Sequence, residues 1–155
     1  MKKKLMLAGF ALAVGAGYTL TAFSQVKPEI LVKQRQAAMT LQGKYYGPMA
    51  GMAQGKIPYN GDIVARNAGY LEVLSKMPWD GFVDSTKDVT VKTAALPAIW
   101  SEPAKFKEAQ EKFQSAVGAL VAATKTGNEA SIKAAIAEVG KGGCGNCHQN
   151  FRQKD

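Results

Sequence analysis

The chain is poor in the residues that most often hold metals. Its 155 residues include one histidine and two cysteines. A structural zinc site normally takes four such ligands from paired knuckles, so this set is one ligand short. A single histidine also excludes any centre that requires two imidazoles from the same chain.

Several other patterns are missing as well. No run rich in lysine or arginine is interleaved with aromatic residues, which argues against nucleic acid as a partner. Beyond the first 24 residues there is no internal repeat and no low-complexity tract. In that same region, no stretch is apolar and long enough to cross a membrane.

The N-terminal segment has the pattern of a secretory signal. Lysines at positions 2–4 precede an apolar stretch over residues 5–20, and residues 22–24 include small side chains suited to a cleavage site. An uncleaved membrane anchor is the alternative, but a stretch of about 16 residues is shorter than the ~20 that span a bilayer. We predict a cleaved signal peptide over residues 1–24 and one mature domain over residues 25–155.

Cleavage also changes the charge of the protein. The whole chain carries a formal net charge of +8, and removal of the three lysines at positions 2–4 leaves +5. A moderately basic surface favours acidic protein partners, or it simply keeps the protein in solution.

The scarce residues stand together near the C-terminus, as Cys144-Gly145-Asn146-Cys147-His148. The spacing C-x-x-C-H is the attachment site of a c-type haem. In such a site both thiols add to the vinyl groups of the porphyrin, and the adjacent imidazole can bind the iron. We therefore predict one covalently bound haem c. An exported protein with this cofactor belongs in a bacterial periplasm.

The cysteine pair also has two alternative roles. A redox disulfide uses the same C-x-x-C spacing, but it normally opens a helix after a strand in a βαβ unit. Here the pair follows a helical segment near the end of the chain. A chance match of so short a motif would leave a structural or metal-trafficking module that carries no haem.

Helical periodicity and end signals predict an all-α protein. Two helices joined by a short turn precede one long crossover loop, and two more helices joined by a short turn follow it. This arrangement makes an antiparallel four-helix bundle. The loop lacks clean periodicity, and loops of this length often have a binding role. The predicted helices span residues 28–53, 61–76 and 101–125 and a segment from 129 to the cysteines, with the loop over 77–100.

Finer features follow from single residues. Leu41 and Tyr45 extend an apolar stripe of the first helix, and Ser101 is the expected N-cap of the third. A short strand over residues 89–91 stays open. Three glycines before Cys144 indicate either close approach by a bulky group, which a porphyrin would supply, or a broken helix.

The mature chain resembles the class II c-type cytochromes, the cytochrome c-prime family. A haem motif at the C-terminus is distinctive of that family. Ala98 departs from the pattern, since an acidic residue is common at its position. The resemblance covers essentially the whole mature region and is carried by Arg35-Gln36-Ala37-Ala38-Met39, by residues 74–82 with Pro78-Trp79, by residues 97–101 and by residues 144–152.

The resemblance implies a four-helix bundle with haem in its core, usually as a homodimer. It also assigns roles to individual residues. It implies that Cys144 and Cys147 hold the haem and that His148 is the proximal iron ligand. Arg35 and Gln36 match residues that contact haem propionates, Thr93 is expected to do the same, and Arg152 matches a basic residue beside the proximal histidine.

The residue expected on the other side of the iron is Met39. It falls where the family presents its distal residue, and methionine is the next expected axial ligand when no second histidine exists. Met39 can pack over the iron without a bond, which gives a five-coordinate, mostly high-spin centre. Alternatively its sulfur binds the iron, which gives a six-coordinate, low-spin centre. We expect the first arrangement, because Trp79, Phe82 and the long loop resemble the five-coordinate branch.

Function follows from that choice. A five-coordinate iron under an apolar residue predicts binding of small diatomic gases such as NO and CO, with one-electron transfer alongside. A six-coordinate iron predicts plain electron transfer to a redox partner protein that the sequence does not identify. A weak peroxidase or nitric oxide reductase is the enzymatic alternative. We expect no enzymatic activity, because no second histidine serves as a distal acid–base group.

Overall fold

The computed structural model describes residues 26–154, so the predicted signal peptide over residues 1–24 lies outside the described residues. Two 3₁₀ turns, Trp79–Phe82 and Asp84–Thr86, lie in the long crossover, and a π-helical segment, Val139–Gly145, precedes the last helix. The described residues form six α-helices: α1 Pro28–Ala53, α2 Gly61–Leu74, α3 Ala98–Ser101, α4 Pro103–Thr124, α5 Glu129–Glu138 and α6 Asn146–Phe151.

The helix ends follow local chemistry. Pro28 begins α1, where its missing N–H costs nothing, and Glu29 complements the helix dipole. Asn60 caps α2 by accepting the Ile63 N–H at 3.0 Å, and Asn128 caps α5 in the same way. These caps confirm the predicted helix starts after the two short turns.

The four long helices pack against one another around a shared core, which confirms the predicted bundle. α1 packs on α2 and α5, and α4 packs on α2 and on the C-terminal segments α5 and Val139–Gly145. The largest fully buried side chains of the core include Met49, Leu71, Leu120 and Ile136. Truncation of such a residue to alanine typically costs about 2–5 kcal/mol.

A second, aromatic cluster fills the end of the bundle beside the crossover. The ring of Phe106 lies edge-on to Phe82 at 5.0 Å, to Phe151 at 5.2 Å and to Trp79 at 5.9 Å between centroids. Buried Ile99 belongs to the same cluster. The crossover is therefore packed inward at its apolar residues, as predicted, and it joins the first half of the bundle to α6.

The predicted apolar stripe of α1 is wrong in part. Leu41 is 40% exposed, while the polar residues Arg35 and Gln42 are buried. The buried face of α1 is thus interrupted by polar side chains that find partners inside the protein. Periodicity of apolar residues alone cannot locate such a face.

Two details of the crossover also differ from prediction. Ser101 does not cap the third long helix, because its backbone already belongs to the short helix α3 and its N–H bonds to the Pro97 carbonyl at 3.1 Å. No strand forms over residues 89–91. Instead an isolated antiparallel bridge joins Ala95 to Arg152.

The predicted fourth helix is a composite. α5 widens into the π-helical segment before α6 begins, and the glycines stand at that point. A Cβ added at Gly143 would lie 3.0 Å from Phe113 Cδ2, and one at Gly140 would clash with Tyr46 Oη. The close approach that the glycines indicate is therefore made, at these two positions, by protein side chains.

None of the helices within residues 26–154 has both the length and the apolar character needed to span a bilayer.

Candidate haem site

Two adjoining cavities, of about 220 Å³ and about 300 Å³, lie between α1, the crossover and the C-terminal segment. Three residues, Met39, Cys147 and His148, line both of them. Volumes of this order are typical of small-molecule and cofactor sites. The shared walls make the two cavities halves of one site, which we call the apolar cavity and the polar cavity.

The apolar cavity is the smaller half. Cys144 lies on its wall together with Leu71, Trp79 and Phe113, and its lining atoms are almost all apolar. The backbone of Gly143 also faces it. Such a surface suits a flat aromatic ring.

The polar cavity is the larger half, and four predicted site residues line it without lining the apolar cavity. These are Arg35, Gln36, Thr93 and Arg152. Together with the residues above, the structure brings all eight predicted site residues onto the walls of one continuous site: Arg35, Gln36, Met39, Thr93, Cys144, Cys147, His148 and Arg152.

The π-helical segment positions the cysteine pair. Cys144 lies in the widened turn, and Cys147 and His148 lie one turn further on in α6. Both cysteines line the apolar cavity. A π-helical turn adds a residue to the helix without ending it, and such turns occur often at functional sites.

The chain end is tied to the crossover next to this motif. The Leu96 N–H donates to the Phe151 carbonyl at 3.0 Å, and the Gln153 N–H donates to the Ala94 carbonyl at 2.8 Å. α6 ends at Phe151, so Arg152 is extended rather than helical. Its side chain still lines the polar cavity.

Burial keeps both thiols protonated. Neither cysteine forms a disulfide within residues 26–154. Burial raises the pKa of Cys144, and burial followed by the nearby charge of Cys144 raises the pKa of Cys147 to about 11. The site therefore does not resemble the electropositive surroundings that activate a catalytic thiolate.

His148 is held in the form that binds metals. His148 lines both cavities, and partial burial lowers the pKa of its ring, while the positive charge of Arg152 lowers the pKa further. The neutral imidazole therefore predominates at pH 7, and neutral imidazole is the metal-binding form.

Arg35 is buried, with 3% of its surface exposed, and it clamps the crossover. Its Nη1 donates to the Gly81 carbonyl and to Thr86 Oγ1, and its Nη2 donates to Thr93 Oγ1 at 3.0 Å. Its guanidinium carbon lies 4.5 Å from the centroid of the Phe82 ring. Burial lowers the pKa of Arg35 from its usual value. The guanidinium of Arg35 thus holds the crossover against α1, and two of its five N–H donors make none of these bonds.

Gln36 adds to this clamp from the outside. Its Nε2 donates to the Lys92 carbonyl at 2.9 Å. Arg35 and Gln36 therefore hold neighbouring residues of the crossover, Thr93 and Lys92, at the wall of the polar cavity.

Two further site residues, Gln42 and Tyr46, were not predicted from the sequence. Both line the apolar cavity from α1. They stand three and seven residues after Met39, so helical spacing from Met39 was the signal that could have found them. The Tyr46 hydroxyl donates to the Ile136 carbonyl at 3.1 Å.

The donor set fits a covalently attached haem. Two cysteines and one histidine line an apolar cavity, and basic and amide side chains line its polar extension. Among the described residues no three His, Cys, Asp or Glu side chains converge into a cage for a metal ion.

Known proteins are similar to this chain in sequence. The family model for Cytochrome C' matches residues 31–152. Cytochrome c' from Rubrivivax gelatinosus is 44% identical over 128 residues, which cover 83% of this chain and 98% of that protein. Cytochrome c' from Alcaligenes xylosoxydans xylosoxydans is 37% identical and covers 83% and 97%.

Solved structures have the same architecture. The Rubrivivax gelatinosus cytochrome c' structure has a TM-score of 0.78 at 43% identity and covers 83% of this chain and 98% of that one. A nitric oxide complex of an Alcaligenes xylosoxidans cytochrome c' variant has a TM-score of 0.75 at 36% identity with the same coverage. A carbon monoxide complex of another variant has a TM-score of 0.74, at the same identity and coverage. The motif, the cavity and these similarities together establish that the chain belongs to the cytochrome c' family, whose cofactor is a covalently bound haem c.

Proposed function

We propose that this chain is a periplasmic haem c protein that binds small diatomic gases and transfers single electrons. The observation that carries the proposal is the juxtaposition of a C-x-x-C-H motif with an apolar cavity lined by both Met39 and His148. Relatives solved with nitric oxide and with carbon monoxide support the choice of gases.

The C-terminal segment holds the haem in this proposal. Cys144 and Cys147 supply the thioether links, and His148 supplies the proximal nitrogen. When bound, haem c supplies an iron that takes a gas ligand and changes its charge by one electron.

The polar cavity is assigned to the propionates. Arg35, Gln36, Thr93 and Arg152 line it, and cationic or amide donors there form charge-assisted hydrogen bonds with carboxylates. Arg35 has two N–H donors that its contacts with the crossover leave available. Arg152 stands close enough to His148 to lower its pKa, so it also acts on the proximal side.

Met39 decides between two versions of the function. We assign it as an apolar cover that packs over a five-coordinate, mostly high-spin iron and limits which ligands enter. Its position on the walls of both cavities, shared with His148, also favours the alternative in which its sulfur is the sixth ligand of a low-spin electron carrier.

Absorption spectra of the ferric and ferrous protein, before and after addition of NO or CO, separate the two. The proposal expects no sulfur-to-iron band near ~695 nm, and it expects CO and NO to change the ferrous spectrum. A band in that region, with no change on addition of CO, would establish the six-coordinate carrier instead.

Enzymatic turnover is not part of the proposal. The one histidine of the chain is assigned to the iron, which leaves no second imidazole for acid–base chemistry on the distal side. The absence of peroxide-dependent oxidation of a reporter dye above the level of free haem is the expected result.

Export and processing complete the proposal. Expression of the full chain in a bacterium that matures c-type cytochromes should give a periplasmic product that begins at Gln25. Recovery of the product in the membrane fraction with residue 1 intact would support the anchor instead.

A homodimer is the expected assembly. Exposed apolar side chains of α1 and α2, among them Leu41, Tyr70 and Val73, form a face that a second copy would cover. Tyr45 and Tyr70 join the two helices there, with ring centroids 4.9 Å apart. Val73→Glu should shift the sedimentation coefficient of the protein to that of a monomer, whereas Val83→Glu on the crossover should not.

A further inference from the structure

Gln42 is a buried polar residue in the wall of the apolar cavity. Only 8% of its surface is exposed, and it projects from the helix face that also carries Met39 and Tyr46. A buried amide in such surroundings is unfavourable unless its hydrogen-bonding groups have partners.

One end of the Gln42 amide is accounted for. Its Nε2 donates to the Leu74 carbonyl at 2.8 Å, at the end of α2. A carbonyl only accepts hydrogen bonds, so the nitrogen must be the atom that faces it. This fixes the orientation of the amide and places Oε1 on the other side.

The other end of the amide faces open space. Gln42 Oε1 accepts no hydrogen bond from any group within residues 26–154. Every fully buried side-chain nitrogen or oxygen atom within those residues has a hydrogen-bond partner. Because Oε1 has none, it is not fully buried, and a small molecule can reach it. Because so little of Gln42 is exposed and the residue lines the cavity, that space is the cavity.

Capping of α2 does not by itself explain this arrangement. Gln114 on α4 also donates to a carbonyl at the end of α2, with its Nε2 3.2 Å from the Ser75 carbonyl oxygen. Gln114 does not line either cavity. Trp79 Nε1 donates to the same oxygen at 2.7 Å. The nitrogen of Gln42 belongs to this group of caps, and its oxygen remains to be explained.

A second acceptor stands one helical turn away. Tyr46 follows Gln42 by four residues, which makes the two side chains neighbours on the surface of α1. Its hydroxyl proton is used on the Ile136 carbonyl, so its oxygen offers only lone pairs to the cavity.

We propose that Gln42 Oε1 and Tyr46 Oη bind a water molecule inside the apolar cavity. Water has two protons, which match the two acceptors, and buried water normally has two to four polar partners. NO and CO carry no proton and gain nothing from this site. The proposal rests on the proposed function, because it places the water where an incoming gas must displace it.

The water makes gas entry slower. An incoming gas that cannot reproduce the hydrogen bonds of a displaced water forfeits them. Removal of the Gln42 acceptor should therefore speed entry by roughly fivefold, the factor that one net hydrogen bond carries.

The test compares the haem-loaded wild type with Gln42→Met and with the matched control Gln114→Met. Both variants lose one hydrogen bond to the end of α2, but only the first changes the cavity. The first readout is the crystal structure at high resolution, and the second is the rate of CO association measured after flash photolysis.

The proposal expects a water within about 2.7–3.2 Å of Gln42 Oε1 in the wild type. It expects that water to be absent from Gln42→Met, with CO association about fivefold faster, and both readouts to be unchanged in Gln114→Met. An Oε1 that bonds to the protein or to the haem, or equal rate changes in the two variants, would overturn it. A wild type with the ordered water but without CO binding would contradict the gas-binding function and leave the water site standing.

Discussion

Arg35 Nη2 donates a hydrogen bond to Thr93 Oγ1 at 3.0 Å, across 58 residues of sequence. The bond joins the first helix to the far end of the crossover, directly at the wall of the polar cavity. Arg35 is therefore a positioning residue as well as a candidate propionate contact. The chain builds this part of the site before any carboxylate reaches it.

Arg35→Met should destabilise the protein by about 2–3 kcal/mol, because the Gly81 carbonyl and the Thr93 hydroxyl lose their charged donor. The free energy of unfolding in urea measures the effect. Lys33→Met, at an exposed position of the same helix, should change it by no more than about 0.5 kcal/mol. Equal values for the two variants would show that Arg35 does not clamp the crossover.

Gly81→Ala tests the same contact from the other side. A Cβ at this position would lie 2.6 Å from Arg35 Cβ and 2.9 Å from the Leu31 carbonyl oxygen, which belongs to rigid backbone. We expect a loss of about 1–3 kcal/mol in the free energy of unfolding.

Gly69→Ala is the matched control for that substitution. An added Cβ there meets no atom within 4 Å, and the residue lies inside α2. Alanine should therefore raise the free energy of unfolding by up to about 1 kcal/mol. A gain in stability at Gly81 as well would mean that the crossover is not pressed against α1.

Met39→Ala should speed the association of CO with the ferrous protein by about tenfold, which corresponds to a barrier lower by about 1.4 kcal/mol. The reason is that the smaller side chain no longer covers the site that it lines with His148. Stopped-flow or flash-photolysis rates measure it. Met77→Ala, at an exposed methionine, is the control, and unchanged rates in both variants would remove the covering role of Met39.

Tyr46 should titrate late. Burial raises its pKa above the usual value, and the nearby Cys144 raises the pKa further. Absorbance of tyrosinate should show a phase above pH 10 that Tyr46→Phe removes and Tyr70→Phe retains. If the late phase survives in Tyr46→Phe, another tyrosine is the buried one.

The same shift makes stability depend on pH. Because the folded protein holds the phenol proton more tightly than the unfolded chain, the stabilisation is complete below about pH 10. It is lost as the pH rises through the raised pKa of Tyr46. The free energy of unfolding should therefore fall with pH above about 10, and it should fall less steeply in Tyr46→Phe.

Local patterns were sufficient to predict much of this protein. The predicted helix starts at residues 61 and 129 are confirmed, and the apolar spacing of α4 is consistent with its buried face, which places Phe113, Val117 and Leu120 in the core. The C-x-x-C-H spacing predicts where the cofactor attaches because the chemistry requires neighbouring residues.

What escaped prediction depends on distant partners. Gln42 can be buried because the carbonyl of Leu74, 32 residues away, accepts a hydrogen bond from its amide. No local sequence pattern predicts that bond. Arg35 finds Gly81 and Thr86 in a crossover without periodicity. The π-helical segment is likewise set by the packing of its glycines against Tyr46 and Phe113, which belong to other helices.

Covalent attachment of haem through Cys144 and Cys147 underlies every role assigned to this site. Mass spectrometry of denatured protein, produced in a host that matures c-type cytochromes, is the most decisive test. We expect the mass of the processed chain plus one haem, and we expect that increment to be lost in the double variant Cys144→Ala with Cys147→Ala. A wild-type mass equal to that of the bare processed polypeptide would refute the attachment.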